Sequence, residues 1–575
     1  MTKPELTLPE LQPPSGPVET RVKEVQQWLA SLPLADSLAT SQQLFQNLHA
    51  LNRMSLDSKA RLEIMELYHR PVFAVTYSLQ NAFAQVSLPL SPKKRQLAVF
   101  LRQLQMEMAY GYKFVVRDML SSNALWSRKA ALPLVIERAI QYLGEVLLRS
   151  YHVYMPCPAG VWREIHALYR YAEEQGLHTE EVVGSREDAA EKVTINRSYL
   201  QAVLLGLCGP YQLPQNECIQ VNGFLANWAE KAIIASDLAV DSPVGCFLID
   251  LTTDLPAMLF PRDIMLKPAP YLRVLSAVEL ARIAHEDINR LQKGVTPQSL
   301  RMGVECIDSA CLDMLRRMIR FWGMAARRQF SRRTTRARFL SVCTGVNALH
   351  FFSDGQRAFS PPDETPPLPP ADERDSQFPS NVSVPASGED EGAAMIDLDV
   401  LIPEPAPAFV TEANALMSQE VFRISRWKIR DESAGGLSLV WDENALTPVR
   451  VGDLLGLLDE DTNQWRAGVA RWLKSEDVTH IEVGVEMLAP GVKPVAVKSI
   501  QDGGKVSARA VQALMLPAVA VLHQPATLLV TPGFCQTGSD IYLLTRDEMP
   551  RRVRVMRVLE RSGAFVQILF ADSTR

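Results

Sequence analysis

The stretch that decides the fold is RWKIRDESAGGLSLVW, residues 426–441. Within it, RWKIRD (426–431) and GLSLVW (436–441) are rich in aromatic and branched residues and are separated by a Ser- and Gly-containing segment. Short runs of this kind, bounded by turn residues, predict β-strands. Three similar runs follow: DLLGLL (453–458), RAGVARWL (466–473) and HIEVGVEML (480–488). We therefore predict a small β domain in this part of the chain.

The regions on either side of this domain have different patterns. Residues 495–575 continue with short strand-like runs, which predict a second small barrel or sandwich. Residues 18–325 are mainly helical in pattern, as at Leu101, Leu104, Met108 and Tyr112. Helices are expected over 58–87, 93–120, 123–150, 160–175, 196–207, 216–236, 277–293 and 305–325. The runs at 244–251 and 257–262 suggest a small hairpin. The predicted fold class is multidomain α+β, with an all-α N-terminal domain followed by two β domains.

Length and composition exclude several classes of protein. The chain has 575 residues, of which 22% are charged and 47% hydrophobic, so it is neither wholly disordered nor collagen-like. Its net charge of −5 does not by itself favour nucleic-acid binding. The N-terminal sequence offers no signal peptide, and no transmembrane segment is predicted. The eight cysteines contain no CxxC pair, so we interpret them as reduced thiols in a cytoplasmic protein.

Two segments have the composition of disordered chain. Residues 1–17 are Pro-rich. Residues 353–420 hold 11 of the 38 prolines, with 14 acidic and two basic residues, a net charge of −12. Low hydrophobicity and high net charge leave too little apolar surface to offset the entropy of ordering. We predict a disordered N-terminus at 1–17 and a disordered acidic insertion at 353–420.

Residues 316–338 contain nine arginines and no acid. Guanidinium groups bind phosphates in a bidentate fork, so the cluster is a candidate anion site. Three interpretations compete from charge alone: a solvated basic face or one paired with the acidic insertion, a nucleic-acid footprint, and a site for a small phosphorylated ligand. A second arginine group at 551–557 is interpreted as a solvated strand face.

The order of residues around this cluster narrows the choice. The run RRQFSR (327–332) precedes a predicted strand at about 338–352, and DESAGG (431–436) lies downstream. Together they resemble the two signatures of the PilZ family, RxxxR and [D/N]xSxxG. The resemblance implies a six-stranded β-barrel that binds the bacterial second messenger cyclic di-GMP. It covers about 327–352 and 421–490.

The spacing departs from the family pattern. PilZ motifs usually lie some 20 to 30 residues apart, whereas Arg332 and Asp431 are 99 residues apart here. Because the cost of loop closure grows only logarithmically with length, a long insertion is tolerable. We therefore predict a barrel split into 326–352 and 421–490 by the insertion, followed by a small β domain at 491–575. A second RxxxR pattern, Arg426 to Arg430, is interpreted as a coincidence because it lies on a strand.

The resemblance also implies which residues bind the ligand. The predicted ligand-binding residues are Arg327, Arg328, Arg332, Asp431, Ser433 and Gly436. The arginines suit phosphates and guanine acceptors, and the carboxylate and hydroxyl suit guanine hydrogen bonds. Glycine allows close approach of the backbone. The structural alternative is that DESAGG simply forms a turn.

Signatures of enzymes are scarce. The sequence contains no GxxxxGK[ST], HExxH or GxSxG motif, and no metal site or cofactor is predicted. Glu145 to Arg149 matches the ExLxR core of phosphodiesterases that cleave cyclic di-GMP. The further carboxylates that such enzymes need are missing from this helical region. We interpret the motif as a helix face with Leu147 and Leu148 buried.

The sequence thus predicts a non-catalytic bacterial receptor for cyclic di-GMP. Ligand binding at the barrel would draw the arginine segment onto Asp431–Gly436 and reorient the helical domain towards an unidentified protein partner. The resemblance implies control of pili, motility or surface attachment. Two alternatives remain open, a nucleic-acid-binding regulator and a PilZ-like scaffold without ligand; an enzyme acting through the helical domain is a more distant third.

Overall fold

The structure is a computed structural model. It describes residues 3–13, 18–33, 35–83, 87–121, 125–184, 192–240, 242–261, 269–295, 308–323, 333–334, 338–361, 422–433, 435–441, 447–460, 462–476, 480–500, 506–518, 524–546 and 548–573. Three regions follow one another along the chain, a helical region and two β-barrels. This is the multidomain α+β architecture expected from the sequence.

The helical region occupies the first half of the chain. Its helices are α1 (Val22–Ala30), α2 (Ser37–Leu51), α3 (Ser58–Gln80), α4 (Pro92–Ser121), α5 (Leu125–His152), α6 (Val161–Glu174), α7 (Ile195–Leu207), α8 (Glu217–Trp228), α9 (Val278–Gln292) and α10 (Asp308–Gly323). Two helices end earlier than predicted, α3 at Gln80 rather than 87 and α8 at Trp228 rather than 236. One core holds the region together and includes Leu104, Leu204 and Trp322, all fully buried.

Short strands accompany these helices. They are β1 (Glu181–Val183), β2 (Lys192–Thr194), β3 (Ile233–Ala235), β4 (Cys246–Asp250), β5 (Met258–Leu259) and β6 (Leu272–Ser276). The predicted hairpin is confirmed, since β4 and β5 pair with Phe247 opposite Leu259. It belongs to a four-stranded sheet of order β3-β6-β4-β5. The region is therefore mainly helical but not exclusively so.

The middle barrel contains the stretch that opened the sequence. Its strands are β7 (Arg333–Thr334), β8 (Phe339–Thr344), β9 (Ser425–Ser433), β10 (Gly436–Trp441), β11 (Leu454–Asp459), β12 (Gln464–Ser475) and β13 (Ile481–Ala489). Strands β8-β9-β10-β13-β12-β11 form a closed antiparallel ring, and β7 pairs with the C-terminal end of β9. Trp427 and Ile429 are buried, whereas Arg426, Lys428 and Arg430 are exposed. This alternation is the period-two pattern seen in the sequence.

A helix replaces the end of the first predicted strand. The sequence predicted a strand over 338–352, but β8 ends at Thr344 and helix α11 (Val346–Ser353) follows. Gly345 has a φ of +90°, a backbone conformation that favours glycine and ends the strand. The apolar side chains of α11 pack between the two barrels, where Leu349 lies in one cluster with Phe565. This tertiary burial was not visible in the local sequence.

The C-terminal barrel is closed and uninterrupted. Its strands are β14 (Lys493–Ser499), β15 (Val511–Leu516), β16 (Thr527–Val530), β17 (Asp540–Leu544), β18 (Arg551–Arg561) and β19 (Val566–Asp572). They pair in the cyclic order β14-β15-β16-β19-β18-β17, and every pairing is antiparallel. The prediction of a second small β domain is thereby confirmed.

The middle barrel is packed on both neighbours. Towards the helical region, Leu88 and Val449 exchange two backbone hydrogen bonds of 3.0 and 2.9 Å, and the Ser475 N–H donates to the Tyr154 carbonyl at 2.9 Å. A buried apolar cluster surrounds these contacts. Towards the C-terminal barrel, the cluster around Leu349 joins residues of both barrels. The barrel that carries the candidate site is therefore held between the other two regions.

Three further expectations concern the N-terminus, the cysteines and the acidic insertion. Residues 3–13, predicted as disordered, are extended along the helical region, where the Thr7 N–H donates to Glu164 Oε1 at 2.6 Å. Cys311 is disulfide-bonded, which corrects the expectation that all eight cysteines are reduced. Residues 362–420 of the acidic insertion lie outside the described residues, so their predicted disorder remains a prediction. Among described residues, no helix is both long and apolar enough to cross a membrane.

Candidate functional site

The DESAGG motif lies at the hairpin between β9 and β10. Asp431 and Ser433 end β9 and Gly436 begins β10, with Ser438 opposite Asp431 and Gly436 opposite Ser433. The Ser433 hydroxyl donates to the Gly436 carbonyl at 3.2 Å. The structure thus brings these three predicted site residues together. It also shows that the motif makes a turn, as the structural alternative expected, and ligand binding by these residues stays a prediction.

Gly436 has a packing role that the sequence did not reveal. A Cβ atom at this position would lie 2.3 Å from the carbonyl oxygen of Val485 on β13. Real Cβ atoms do not approach oxygen so closely, so any larger residue would push β10 away from β13. Close approach of two strands is therefore enough to explain this glycine. A direct contact with ligand stays a prediction.

The end of the arginine segment lies against this hairpin. Strand β7 pairs with β9, with Arg333 opposite Glu432 and Thr334 opposite Asp431. Arg327, Arg328 and Arg332 lie outside the described residues. The first described residue after the predicted RxxxR segment, Arg333, thus lies at the edge of the DESAGG hairpin, although 99 residues separate Arg332 from Asp431 in sequence.

Arg338 is a charged neighbour that the sequence analysis counted but did not single out. Its guanidinium donates to Asp459 Oδ2 at 2.8 Å and lies 3.8 Å from Glu432 Oε2. Arg466 pairs with the same Asp459 carboxylate. The signal in the sequence was its place as the last arginine of the cluster, directly before β8. Arg338 links the first strand of the barrel to the motif strand and adds positive charge beside Glu432.

The second RxxxR pattern lies on the outer face of β9. Arg426 pairs with Glu460 at 3.4 Å and stacks over the Phe339 ring, 4.3 Å from its centroid. Arg430 pairs with Glu482. Both arginines have partners within the barrel, so the pattern serves the barrel surface. This supports its interpretation as coincidental to the signature.

The other described arginines of the 316–338 cluster are largely matched by acids. Arg316 pairs with Asp313 at 3.1 Å, and Arg317 pairs with Glu217. Pairing within the chain reduces the positive field that a nucleic-acid backbone requires. The arginines at 551–554 are matched in the same way, because Arg551 pairs with Asp572 at 3.1 Å and Arg552 with Asp540.

The structure also clarifies the ExLxR match. Glu145 and Arg149 form an ion pair of 2.9 Å one helical turn apart on α5. Leu147 and Leu148 are buried, as predicted. Within the described part of the chain, no group of three or more His, Cys, Asp or Glu side chains is arranged to hold a metal ion. The motif is accordingly part of a helix face.

Comparison with known proteins gives a consistent result over the whole chain. Three family models match in succession: the N-terminal domain of the cyclic-di-GMP receptor FimW at 23–237, its middle PilZ domain at 246–494 and its C-terminal β-barrel domain at 495–573. The chain is 27% identical to the cyclic-di-GMP receptor FimW of Pseudomonas aeruginosa over 564 residues, which cover 96% of this chain and 90% of that protein. No solved structure matches the chain.

The family models and the core divide the chain differently. The model for the middle PilZ domain begins at residue 246, yet residues as far as Trp322 are buried in the core of the helical region. The boundary at 325 therefore remains a prediction. The order of domains is the same in both divisions: helical region, PilZ barrel, second barrel. With three consecutive models of one family matched in order, the chain belongs to the FimW family of PilZ-domain proteins.

Proposed function

We propose that this protein is a non-catalytic cytoplasmic receptor that binds cyclic di-GMP at its middle barrel. One observation carries the proposal: β7 pairs with β9 so that Thr334 lies opposite Asp431. The pairing sets the end of the arginine segment beside the hairpin that carries DESAGG. The relative from Pseudomonas aeruginosa is described as a cyclic-di-GMP receptor, which supports the same ligand.

The chemistry of the two motifs is complementary to the ligand. Cyclic di-GMP carries two phosphates and two guanines. Arg328 and Arg332, with Arg327 assisting, would bind phosphate oxygens or guanine acceptors through their planar forks. The Asp431 carboxylate would accept hydrogen bonds from the guanine donor edge, and the Ser433 hydroxyl would add one more. A ligand between them would bridge the helical region's last connection and the β9–β10 hairpin.

This arrangement changes the expected switch. From the sequence, a ligand was expected to draw the arginine segment onto the barrel. In the structure, the backbone of Arg333 on β7 already lies opposite that of Glu432 on β9, and the barrel is packed on the helical region through Leu88 and Tyr154. We infer that ligand binding acts locally on the connection between α10 and β7. The effect would pass through α10 to the helical core rather than through a large movement of domains.

The process that this protein would regulate is inferred only from its resemblance to PilZ proteins. That resemblance implies control of pili, motility or surface attachment. The helical region would contact an unidentified protein partner. A nucleic-acid-binding function is less well supported, because Arg316 and Arg317 are paired with acids of the chain itself. Binding that weakens steeply with salt and ignores Asp431→Ala would favour it instead.

Calorimetric titration with cyclic di-GMP at two salt concentrations tests the proposal. Wild type should bind saturably, in the micromolar range or tighter. The Arg328→Ala/Arg332→Ala variant should lose binding, because both phosphate donors are removed. The matched control Arg552→Ala/Arg554→Ala changes the charge equally on the C-terminal barrel and should bind as wild type does. A folded wild type that gives no heat and no thermal stabilisation would refute the receptor.

A further inference from the structure

The N-terminal strap, residues 3–13, lies as an extended chain on the helical region. The side chains of its first half alternate in burial, as in a strand that is bound through one face. The half-buried residues of this half are Pro4, Leu6 and Leu8, and the residues between them are exposed. Leu6 packs against the core of the helical region. The strap therefore occupies a shallow apolar groove.

A buried carboxylate binds the backbone of the strap. The Thr7 N–H donates to Glu164 Oε1 at 2.6 Å. Glu164 on α6 is 5% exposed, and its other oxygen, Oε2, accepts from Lys113 Nζ on α4, also at 2.6 Å. Lys113 is itself 1% exposed. Because the buried ammonium fixes one oxygen, Glu164 holds the other in place as an acceptor for a main-chain N–H.

A second hydrogen bond sets the course of the strap. The Gln12 N–H donates to the Arg53 carbonyl at 2.7 Å. Arg53 follows α2, and its guanidinium pairs with Glu107 on α4 at 3.1 Å. The two bonds lie five residues apart on the strap, one at α6 and the other beyond the end of α2. The strap therefore crosses the helical region in an extended conformation.

The strap makes few contacts for a segment with a defined position. None of residues 3–13 is fully buried, and Leu11 is 50% exposed. Within the described part of the chain, the bonds to Glu164 and Arg53 are the two hydrogen bonds that join the strap to other segments. Covalent attachment raises the local concentration of the strap, so even weak contacts keep the groove occupied. A free peptide with the same pattern would compete for those contacts.

We propose that the N-terminal strap is an intramolecular ligand in a peptide-binding groove of the helical region. The groove accepts an extended segment that has apolar side chains at alternate positions and a main-chain N–H opposite Glu164. The strap itself shows this chemistry, since Leu6 and the Thr7 N–H already make these contacts. A partner's segment of the same pattern binds by displacing the strap, which inhibits docking until it is released. The groove does not depend on cyclic di-GMP binding at the barrel.

Fluorescence anisotropy with a labelled synthetic peptide of residues 1–17 tests the groove. Full-length Leu6→Ser/Leu8→Ser protein has a weakened strap and should bind the peptide saturably. Wild type should bind it about tenfold or more weakly, because its own strap competes. Leu11→Ser/Gln12→Ser, the matched control, changes two exposed residues of the strap and should behave as wild type does. Equal affinity of wild type and Leu6→Ser/Leu8→Ser, or no binding to that variant when thermal melts show it folded, would overturn the proposal.

Two variants of the peptide test the contact with Glu164. Thr7→Pro removes the N–H that Glu164 accepts, and this peptide should bind Leu6→Ser/Leu8→Ser protein about tenfold or more weakly. Glu5→Pro is the control and should bind as the unmodified peptide does, because the Glu5 N–H makes no hydrogen bond to described residues. Equal losses for the two peptides would contradict the role of Glu164.

Hydrogen exchange of the wild-type protein is an independent measurement that needs no substitution. The Thr7 and Gln12 amides should exchange through local release of the strap, faster than the hydrogen-bonded amides in the middle of α4. Excess unlabelled peptide should speed their exchange further, because it occupies the groove while the strap is released. If the two amides exchange only with global unfolding, the strap is not displaceable and the proposal is refuted.

Discussion

The two barrels of this chain share a topology but differ in where their arginines lie. Each is a closed ring of six antiparallel strands. In the C-terminal barrel most arginines lie on β18, where Arg551 and Arg552 pair with Asp572 and Asp540. In the middle barrel the predicted ligand arginines precede the ring, in the connection from α10, and that connection meets the β9–β10 hairpin through β7.

Under the proposed function, this difference locates the ligand site. The ring supplies a rigid frame, and the proposed site lies in the hairpin and the incoming connection attached to it. Strand arginines such as Arg430 in the middle barrel and Arg552 in the C-terminal barrel pair with carboxylates of their own sheet, so they stabilise the surface. The proposed ligand arginines precede the ring in sequence, in the connection that leads to β7. Four predictions test how far the two barrels differ and how far they act together.

The largest expected effect concerns the core that the barrels share. Phe565 is fully buried in the cluster that joins α11, the middle barrel and the C-terminal barrel. Phe565→Ala should destabilise the protein by about 3–5 kcal/mol. Urea denaturation followed by Trp fluorescence measures this. Because residues 495–573 contain no Trp, the signal reports unfolding of the rest of the chain, and it shifts only if the C-terminal barrel stabilises that part. Val530→Ala, in the C-terminal barrel's own core, is the control with the smaller expected shift. An unchanged fluorescence transition in Phe565→Ala would show that the barrels unfold independently.

The second prediction separates the two barrels by ligand binding. Asp431→Ala removes the carboxylate at the hairpin and should weaken cyclic di-GMP binding about ten- to a hundredfold, as for a lost charge-assisted hydrogen bond. Asp540→Ala removes a carboxylate from β17 of the C-terminal barrel and should leave the affinity unchanged. Calorimetry on both variants gives the comparison. Equal losses would mean that the hairpin has no special role.

The third prediction distinguishes packing from ligand contact at Gly436. Gly436→Ala forces a Cβ atom against the Val485 carbonyl and should cost about 1–3 kcal/mol of unfolding free energy. Gly491→Ala is the matched control, because an added Cβ there meets no atom within 4 Å. Chemical denaturation of both variants measures the difference. A Gly436→Ala protein as stable as wild type would contradict the packing role.

The smallest expected effect is at the surface between the barrels. Arg471 on β12 pairs with Glu560 on β18, with Nη2 2.9 Å from Oε2, and also with Glu486. Arg471→Met keeps most of the aliphatic packing and should cost about 0.5–1 kcal/mol at low salt. The loss should shrink as salt is added, because screening weakens partly exposed pairs. A loss that is independent of salt would assign the effect to packing instead.

Local sequence patterns predicted most of the elements. The helices from α3 to α10 and the strands from β9 onward were anticipated because their apolar spacing is strong and their ends carry turn residues. The residues 346–353 were missed, since Phe351 and Phe352 favour a strand locally and become helical between the barrels. The candidate hairpin was anticipated, but the packing role of Gly436 depends on β13, which lies about 50 residues further along the chain.

The sequence by itself determined the order of domains, the two motif segments and the ligand chemistry that they suit. Those properties are local, because strand alternation, turn residues and arginine spacing act within a few residues. Only the tertiary structure decided that β7 pairs with β9 and that α11 packs between the barrels. These contacts join residues far apart in the chain, and their free energy comes from burial and close packing, which a linear pattern does not specify.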